Sequence, residues 1–182
     1  MSSSHLYLNP SLDLNIKIIV EETIFIRIFV KNLQMNKPKY LYKSEEFLKV
    51  YEFVSEGPKG HIKKMVQYSD TGTENVYNLA FGDFDEETNT INDFSITNNG
   101  DSLKVLATVA STVYAFIEKY PDAWIFATGS TTNRTRLYRM GITNNLEEIK
   151  SDFDVYGLRT DTNIWEEFII GEDYEAFLIT KK

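Results

Sequence analysis

Cysteine is absent from this chain of 182 residues, and histidine occurs only twice, as His5 and His61. Without a thiol the protein can form no disulfide, no thiolate metal site and no cysteine nucleophile. Two histidines are also too few for most histidine-based zinc sites, and they leave little for histidine-centred acid–base catalysis. We therefore expect no bound metal.

Long uncharged apolar runs are missing as well. The nearest stretches, residues 16–20 and 24–30, contain Lys17 and Arg27 and are separated by two glutamates. A helix that crosses a membrane needs about 20 predominantly apolar residues, and neither stretch has the form of a signal peptide. We expect no membrane segment, and together with the absence of cysteine this predicts a cytoplasmic protein.

These two stretches leave two interpretations open for the N-terminal residues. β-branched residues dominate both stretches, which predicts an extra N-terminal hairpin within residues 1–34. The alternative is a non-native upstream extension, with translation properly starting at Met35. In either case residues 35–182 have the size of a single globular domain.

Basic residues are fewer than acidic ones, 19 against 27, so the formal net charge is −8. A negative chain repels phosphate backbones and anionic lipids, which disfavours nucleic acid or a membrane as the partner. Hydrophobic residues make up 42% of the chain and charged residues 25%, as in an ordinary globular protein. These proportions exclude a disordered or membrane-embedded chain.

Alternating apolar and polar residues predict an antiparallel meander of four strands, over residues 50–55, 61–67, 76–83 and 90–97. An apolar stripe with helical spacing then predicts a long helix over 103–120, which Pro121 ends. The remaining elements are a strand, two short helices and three strands, over 124–128, 131–140, 144–152, 154–158, 165–168 and 174–180. The fold class is α+β, with a mixed, mostly antiparallel sheet, one long helix and two short helices, in the order β-β-β-β-α-β-α-β-β.

The long helix lies between the predicted strands 90–97 and 124–128. Such a unit is expected to be a right-handed crossover between parallel strands, with a cleft where the first strand ends. The loop Asn98-Asn99-Gly100-Asp101 and the first peptide groups of the helix would line this cleft. Because a helix N-terminus favours negative charge, we expect the amides from Asn99 to Leu103, including those of Gly100 and Ser102, to hold an anion.

The element order, together with the segment Asn133-Arg134-Thr135-Arg136-Leu137-Tyr138-Arg139-Met140-Gly141-Ile142, resembles the GNAT acyltransferases. The resemblance implies an acyl-CoA-dependent N-acyltransferase or a degenerate relative of one, with acetyl-CoA or another acyl-CoA as cofactor and an unknown acceptor. It also implies that Tyr138 donates a proton to the departing thiolate and that Asn133 contacts the cofactor.

Arg134, Arg136 and Arg139 follow one another without an acidic residue between them. Guanidinium groups bind phosphate or carboxylate through paired hydrogen bonds, so Arg134 and Arg136 are candidates to bind the cofactor or another anionic small molecule. The alternative is that these arginines pair with acidic residues nearby in sequence, namely Glu147, Glu148, Asp152 and Asp154.

Two further clusters have structural explanations beside functional ones. The loop Gly129-Ser130-Thr131-Thr132-Asn133 follows an apolar strand, where it either contacts a ligand or only caps the next helix. The acidic residues around the 84–89 turn lack the calcium-loop pattern, and we interpret them as a solvated turn; they are Asp83, Asp85, Glu86, Glu87 and Asp93.

A second resemblance covers about residues 40–180. The segments that carry it are Gly57-Pro58-Lys59-Gly60, Asn98-Asn99-Gly100-Asp101, Lys104-Val105-Leu106-Ala107-Thr108-Val109-Ala110 and Gly129-Ser130-Thr131, followed by Arg134-Thr135-Arg136-Leu137-Tyr138. They are similar to an uncharacterised bacterial family. This resemblance implies one compact domain and favours Met35 as the natural start, but it brings no activity.

The alternative function is a non-catalytic module that binds a nucleic acid or a protein. Four strands followed by a helix resemble the PUR and Whirly type of single-strand-binding domain. Tyr68, Tyr77, Phe81 and Phe94 could stack bases if they lie on an open face of the sheet. A protein partner, as in a toxin–antitoxin pair, stays open at this point.

Overall fold

The first half of the chain forms strands that lie side by side, because alternate side chains along each strand are apolar and need cover on one face. The computed structural model describes residues 37–92 and 97–182. Its first half contains β1 (Tyr42–Ser44), β2 (Val50–Gly57), β3 (Gly60–Asp70), β4 (Val76–Asp85) and β5 (Thr90–Asn92). Each of these strands pairs with the next in antiparallel orientation.

The second half combines two helices with four more strands. They are α1 (Ser102–Lys119), β6 (Trp124–Thr128), α2 (Thr132–Asp152), β7 (Phe153–Arg159), β8 (Trp165–Glu167) and β9 (Tyr174–Lys181). The sheet order is β1-β2-β3-β4-β6-β9-β7-β8, and β5 pairs with β4 off this path. Residues 37–182 form one compact unit. The fold class is therefore α+β, as predicted, with a mixed, mostly antiparallel open sheet.

Two details of the predicted elements were wrong. The two short helices are one helix, α2, which continues through Gly141. A Cβ atom at Gly141 would come within 3.2 Å of the Leu106 side chain, so this glycine lets the two helices pack closely. That packing offsets the roughly 1 kcal/mol that a glycine costs inside a helix. The sheet also has more strands than predicted, since β1 was not foreseen.

The predicted crossover exists, but its first strand was wrongly assigned. β6 pairs in parallel with β4, through Val76 and Trp124, Tyr77 and Ile125, and Asn78 and Phe126. The predicted strand over 90–97 is represented by β5, which is three residues long, and residues 93–96 lie outside the described part. β5 therefore returns along the end of β4 before α1 begins. The hairpin predicted within residues 1–34 also lies outside the described residues.

Both helices cover the same face of the sheet, where the core lies. Phe116 of α1 stacks on Tyr68 of β3, with ring centroids 4.1 Å apart. On the opposite face Trp124 stacks against Tyr156, and Phe126 meets Trp165 edge to face. Among the described residues, neither helix has the length and apolarity needed to span a membrane.

Buried tyrosines make the fold sensitive to alkaline pH. Burial raises the pKa of Tyr51 and Tyr68 far above the ordinary value of about 10. The unfolded chain therefore loses these protons at a lower pH than the folded one, so their contribution to stability is full below pH 10 and falls above it. We expect the free energy of unfolding to fall by about 1.4 kcal/mol per pH unit for each tyrosine above that pH.

Urea unfolding followed by circular dichroism from pH 8 upward measures this slope. Tyr51→Phe is the matched variant, because the Tyr51 hydroxyl is buried and has no hydrogen-bond partner among the described residues. It should reduce the slope without lowering stability at pH 8. Full tyrosinate absorbance in a still-folded protein would contradict the prediction.

Candidate functional site

A gap in the sheet separates the second halves of β4 and β6. Their parallel ladder ends after the pair Asn78 and Phe126, although β4 continues to Asp85 and β6 to Thr128. The other edge of β4 stays paired with β3 up to Asp83. We call the space between Leu79–Phe81 of β4 and Ala127–Thr128 of β6 the strand gap. Here two neighbouring strands diverge at their carboxyl ends, a common location for ligands in sheets with parallel strands.

Two side chains from the start of α2 reach β4 at the strand gap. The Tyr138 hydroxyl donates to the carbonyl oxygen of Leu79 at 3.5 Å, the outer limit of a hydrogen bond. Arg134 donates from Nη1 to the carbonyl oxygen of Phe81 at 2.5 Å and from Nη2 to that of Asn92 at 2.9 Å. Both residues are buried, and Arg134 is only 5% exposed.

An apolar cavity of about 60 Å³ lies behind the strand gap, between the sheet and both helices. Leu79, Ala127 and Tyr138 form its wall at the gap, and Leu106, Val109 and Gly141 form part of its helical wall. An engineered apolar cavity of about 150 Å³ binds benzene, so this space suits a group of two or three carbon atoms.

A buried ion pair lies at the mouth of the strand gap. Lys64 of β3 pairs with Asp83 of β4, and Thr97 donates to the same carboxylate. The Lys64 side chain is 8% exposed. Arg134 and Ser102 line the same small cavity, so the N-termini of both helices meet the ion pair here. Neither partner can be removed alone without leaving a poorly solvated charge.

The N-terminus of α1 borders a larger cleft of about 790 Å³. Gly100, Ser102, Lys37 and Lys104 are among its lining residues. Asp101, at the N-cap position, makes no side-chain cap to the helix, so its carboxylate does not occupy the first amides. The cleft therefore combines the positive end of a helix with two lysines, an arrangement that attracts anions.

Glu56 and Asp101 also line this cleft, and their carboxylates oppose an anion. Asp101 is the one at the end of the helix. It accepts hydrogen bonds from the hydroxyls of Tyr40 at 2.7 Å and Ser55 at 2.6 Å. Burial, together with the neighbouring Asp101, raises the pKa of Tyr40, so this donor keeps its proton at neutral pH. The two hydroxyls partly offset the negative charge beside the helix end.

Asn99 holds the loop before α1 in place. Its side chain donates to Ser55 Oγ at 3.0 Å and to the carbonyl of Gly60 at 3.1 Å, and it accepts from the Lys59 amide at 2.8 Å. The residue is 1% exposed. These bonds fix the 98–101 loop to the turn between β2 and β3, so the Asn99 side chain positions the cleft and does not line it.

The remaining predicted residues are spread along the start of α2. Asn133 and Arg136 are exposed, and neither lines the apolar cavity, the small cavity at the ion pair or the larger cleft. Arg139 pairs with Asp173, and not with the acids nearby in sequence that the structural alternative named. Thr131 caps α2 by accepting from the Arg134 amide, as the capping interpretation of the 129–133 loop implies.

Sequence reasoning missed the pairing of Lys64 with Asp83. Asp83 was assigned to a solvated acidic turn, yet its side chain is only 16% exposed. The available signal was alternation along β3, because Lys64 shares a strand face with the apolar residues Val66 and Tyr68. Within the described part of the chain, no group of three or more acidic residues and histidines is placed to hold a metal ion.

The three proposed base-stacking residues that the structure describes do not lie on an open face. Tyr68 and Phe81 are 2% and 7% exposed beneath the helices, and Tyr77 contacts Phe116 of α1. Phe94 lies outside the described residues. The aromatic side chains on the uncovered face are others, including Trp124 and Trp165.

Comparison with known proteins gives a family but no activity. The model of DUF6934, described as a family of unknown function, matches residues 36–182. No curated protein and no solved structure matches the chain.

Replacing Asn99 tests its role in positioning the loop. Asn99→Ala removes one acceptor and two donor bonds from a buried position. We expect the free energy of unfolding to fall by about 1–3 kcal/mol, measured by urea unfolding. Asn133→Ala, at an exposed position outside this loop, should change it by less than about 0.5 kcal/mol. Equal stability of the two variants would show that the buried bonds do not hold the loop.

Proposed function

Because the chain belongs to DUF6934, a family of unknown function, we propose its activity from the geometry of the site. We propose a GNAT-like acyl-CoA-dependent N-acyltransferase, or a degenerate relative of one, whose acceptor is an amine. The thioester arm of the cofactor would enter the strand gap, and its phosphates would lie near the N-termini of α1 and α2.

The observation that carries the proposal is the early end of the ladder between the parallel strands β4 and β6. In the GNAT acyltransferases, the acyl-CoA binds where two such strands splay before a helix. The neighbouring positions of β4 and β6 in the sheet support this proposal, with α1 between them in the chain after the short strand β5. The short apolar cavity behind the gap suits a small acyl group.

Positive charge near the gap supports an anionic cofactor. Lys37 and Lys104 line the cleft at the α1 N-terminus, and Arg134 and Lys64 line the cavity beside it. Three carboxylates, those of Glu56, Asp83 and Asp101, line the same two spaces, so four cations minus three anions leave a formal local charge of +1. The chain as a whole carries a net charge of −8, so this part of it is less negative than the rest. A local cluster of this kind favours binding of a diphosphate at one place without making the whole protein a phosphate binder.

The chemistry needs one proton donor at the gap. The acceptor amine attacks the acyl carbonyl carbon, so that a C–N bond forms and the C–S bond breaks. The amine gives up a proton, and the departing thiolate takes one to leave as the free thiol. Tyr138 is the hydroxyl donor that faces both the gap and the apolar cavity, and for this reason we assign it the second proton transfer.

Thermal melting with acetyl-CoA and with CoA tests cofactor binding. A ligand at 100 times its dissociation constant adds about 2.7 kcal/mol of stability, so the melting temperature should rise clearly. Lys104→Met should weaken binding, since the lysine lines the cleft, while Lys150→Met should not, since Lys150 pairs with Glu167 elsewhere on the surface. An unchanged melting curve with both ligands would overturn the proposal and leave the non-catalytic binding module.

Tyr138→Phe tests the proton transfer. We expect thiol release from acetyl-CoA, assayed with a panel of amines, to slow by about 100-fold or more, the usual effect of losing a general acid. The dissociation constant for acetyl-CoA should stay within a few-fold of that of the wild type. Tyr156→Phe, on the sheet face away from the helices, is the control and should keep full activity. Equal rates in the two variants would remove Tyr138 from the chemistry.

A further inference from the structure

Arg134 occupies the backbone positions at the strand gap that an extended ligand would need. Its guanidinium bridges the carbonyl oxygens of Phe81 in β4 and Asn92 in β5. The side chain comes from the first turn of α2 and is almost wholly buried. A guanidinium is rarely buried without a partner of this kind, because its desolvation is costly.

The backbone around the guanidinium is fitted to it. A Cβ atom at Gly82 would lie 2.7 Å from the carbonyl oxygen of Asn92 and 3.1 Å from Nη2 of Arg134. Any residue other than glycine would therefore push β5 or the guanidinium away. The Arg134 guanidinium therefore has a defined binding position between β4 and β5, at one side of the strand gap.

A thioester arm that lies along β4 would compete with the Arg134 guanidinium for this position. The pantetheine arm of CoA is an extended chain with two amide groups, whose N–H groups need acceptors once they leave water. The Leu79 and Phe81 carbonyls are the acceptors of β4 at the gap, and Tyr138 and Arg134 already donate to them. The Phe81 oxygen has a second lone pair, but Nη1 of Arg134 already lies 2.5 Å from it. An arm that runs beside β4 in the position of a neighbouring strand would bring its N–H to the same place, so it would have to displace the guanidinium.

We propose that Arg134 is a displaceable plug of the strand gap: it holds the carbonyls of Phe81 and Asn92 in the free protein and exchanges them for a phosphate of the incoming acyl-CoA. This inference rests on the proposed function. The exchange is chemically matched, since the planar fork of a guanidinium binds a phosphate at least as well as two carbonyls. The nearby α1 N-terminus, represented by Ser102 in the same cavity, is where that phosphate would lie. Asp83 and Asp101 line this cavity too, so the phosphate would depend on the guanidinium to offset their charge.

The plug makes a prediction about ligand selection. A thioester without phosphates must displace Arg134 and offers the guanidinium nothing in return, so it binds weakly. Acyl-CoA displaces the same side chain and supplies a new partner. The alternative is that Arg134 is a brace, meaning a residue that only supports the structure of the gap and is never displaced. Loss of a brace would distort the gap and weaken the binding of both kinds of ligand by the same factor.

Arg134→Met and Arg134→Lys separate these cases. Methionine keeps an unbranched apolar stem without donors, and lysine keeps one cation without the planar fork. Isothermal titration with acetyl-CoA and with S-acetylpantetheine gives the two affinities for each protein. Arg139→Met is the matched control, since Arg139 lies on the same helix and binds Asp173 and the carbonyl of Glu172.

We expect Arg134→Met to bind S-acetylpantetheine about tenfold more tightly than the wild type, which corresponds to about 1.4 kcal/mol of removed competition. The preference for acetyl-CoA over S-acetylpantetheine should fall by at least as much. Arg134→Lys keeps a donor for one carbonyl, so it should also raise the affinity for S-acetylpantetheine and lower the preference for acetyl-CoA. It is the variant to use if methionine prevents folding. Arg139→Met should leave both ratios unchanged.

Other results would contradict the plug, the proposed function, or both. If both Arg134 variants fold and lose affinity for the two ligands by the same factor, Arg134 is a brace, and the plug is overturned while the proposed function stands. If the wild type and the variants bind neither ligand, both ideas fall. In the wild type, nuclear magnetic resonance of the Arg134 guanidinium should show its signals shift on addition of acetyl-CoA; unshifted signals in a saturated complex would also overturn the plug.

Discussion

A strand carbonyl that is shut off from water needs a hydrogen-bond donor, and this requirement shapes the centre of the protein. β4 and β6 diverge after three residue pairs, so β6 provides no backbone donors to the carbonyls of Leu79 and Phe81. Tyr138 and Arg134 of α2 donate hydrogen bonds to these carbonyls instead. Four helical residues rise about 6 Å and two strand residues advance about 6.7 Å, so side chains four apart on α2 match alternate carbonyls of β4.

Most of the secondary structure could be predicted because its signals are local. The apolar stripe of α1 and the alternation along β2, β3 and β4 depend only on residues near in sequence, and these elements occur where they were expected. The α+β class follows from the same order of elements. Of the candidate site, the sequence indicated where the N-terminus of α1 lies and that Gly100 and Ser102 are beside it, and the structure has both residues in the wall of one cleft.

The rest depends on contacts between residues far apart in the chain. At Gly141 the helix α2 packs closely on Leu106 of α1, and β6 pairs in parallel with β4, which lies before β5 in the chain. The orientation of the Arg134 side chain also depends on residues that are distant in sequence. Composition marked Arg134, Arg136 and Arg139 as one basic group, but helical geometry turns Arg134 into the core, leaves Arg136 in solvent and brings Arg139 to Asp173.

The plug reconciles two demands on the strand gap that otherwise conflict. An open gap ready for a ligand would leave buried carbonyls without donors, at about 1–3 kcal/mol each, in a domain whose whole stability is about 5–15 kcal/mol. A gap closed by continuous strand pairing would be stable but could admit nothing. Side-chain donors solve this, because a rotamer change frees Phe81 and Asn92 while both strands stay in place. The free protein therefore keeps its stability at the expense of affinity, and a ligand recovers that affinity only if it offers the displaced guanidinium an anion.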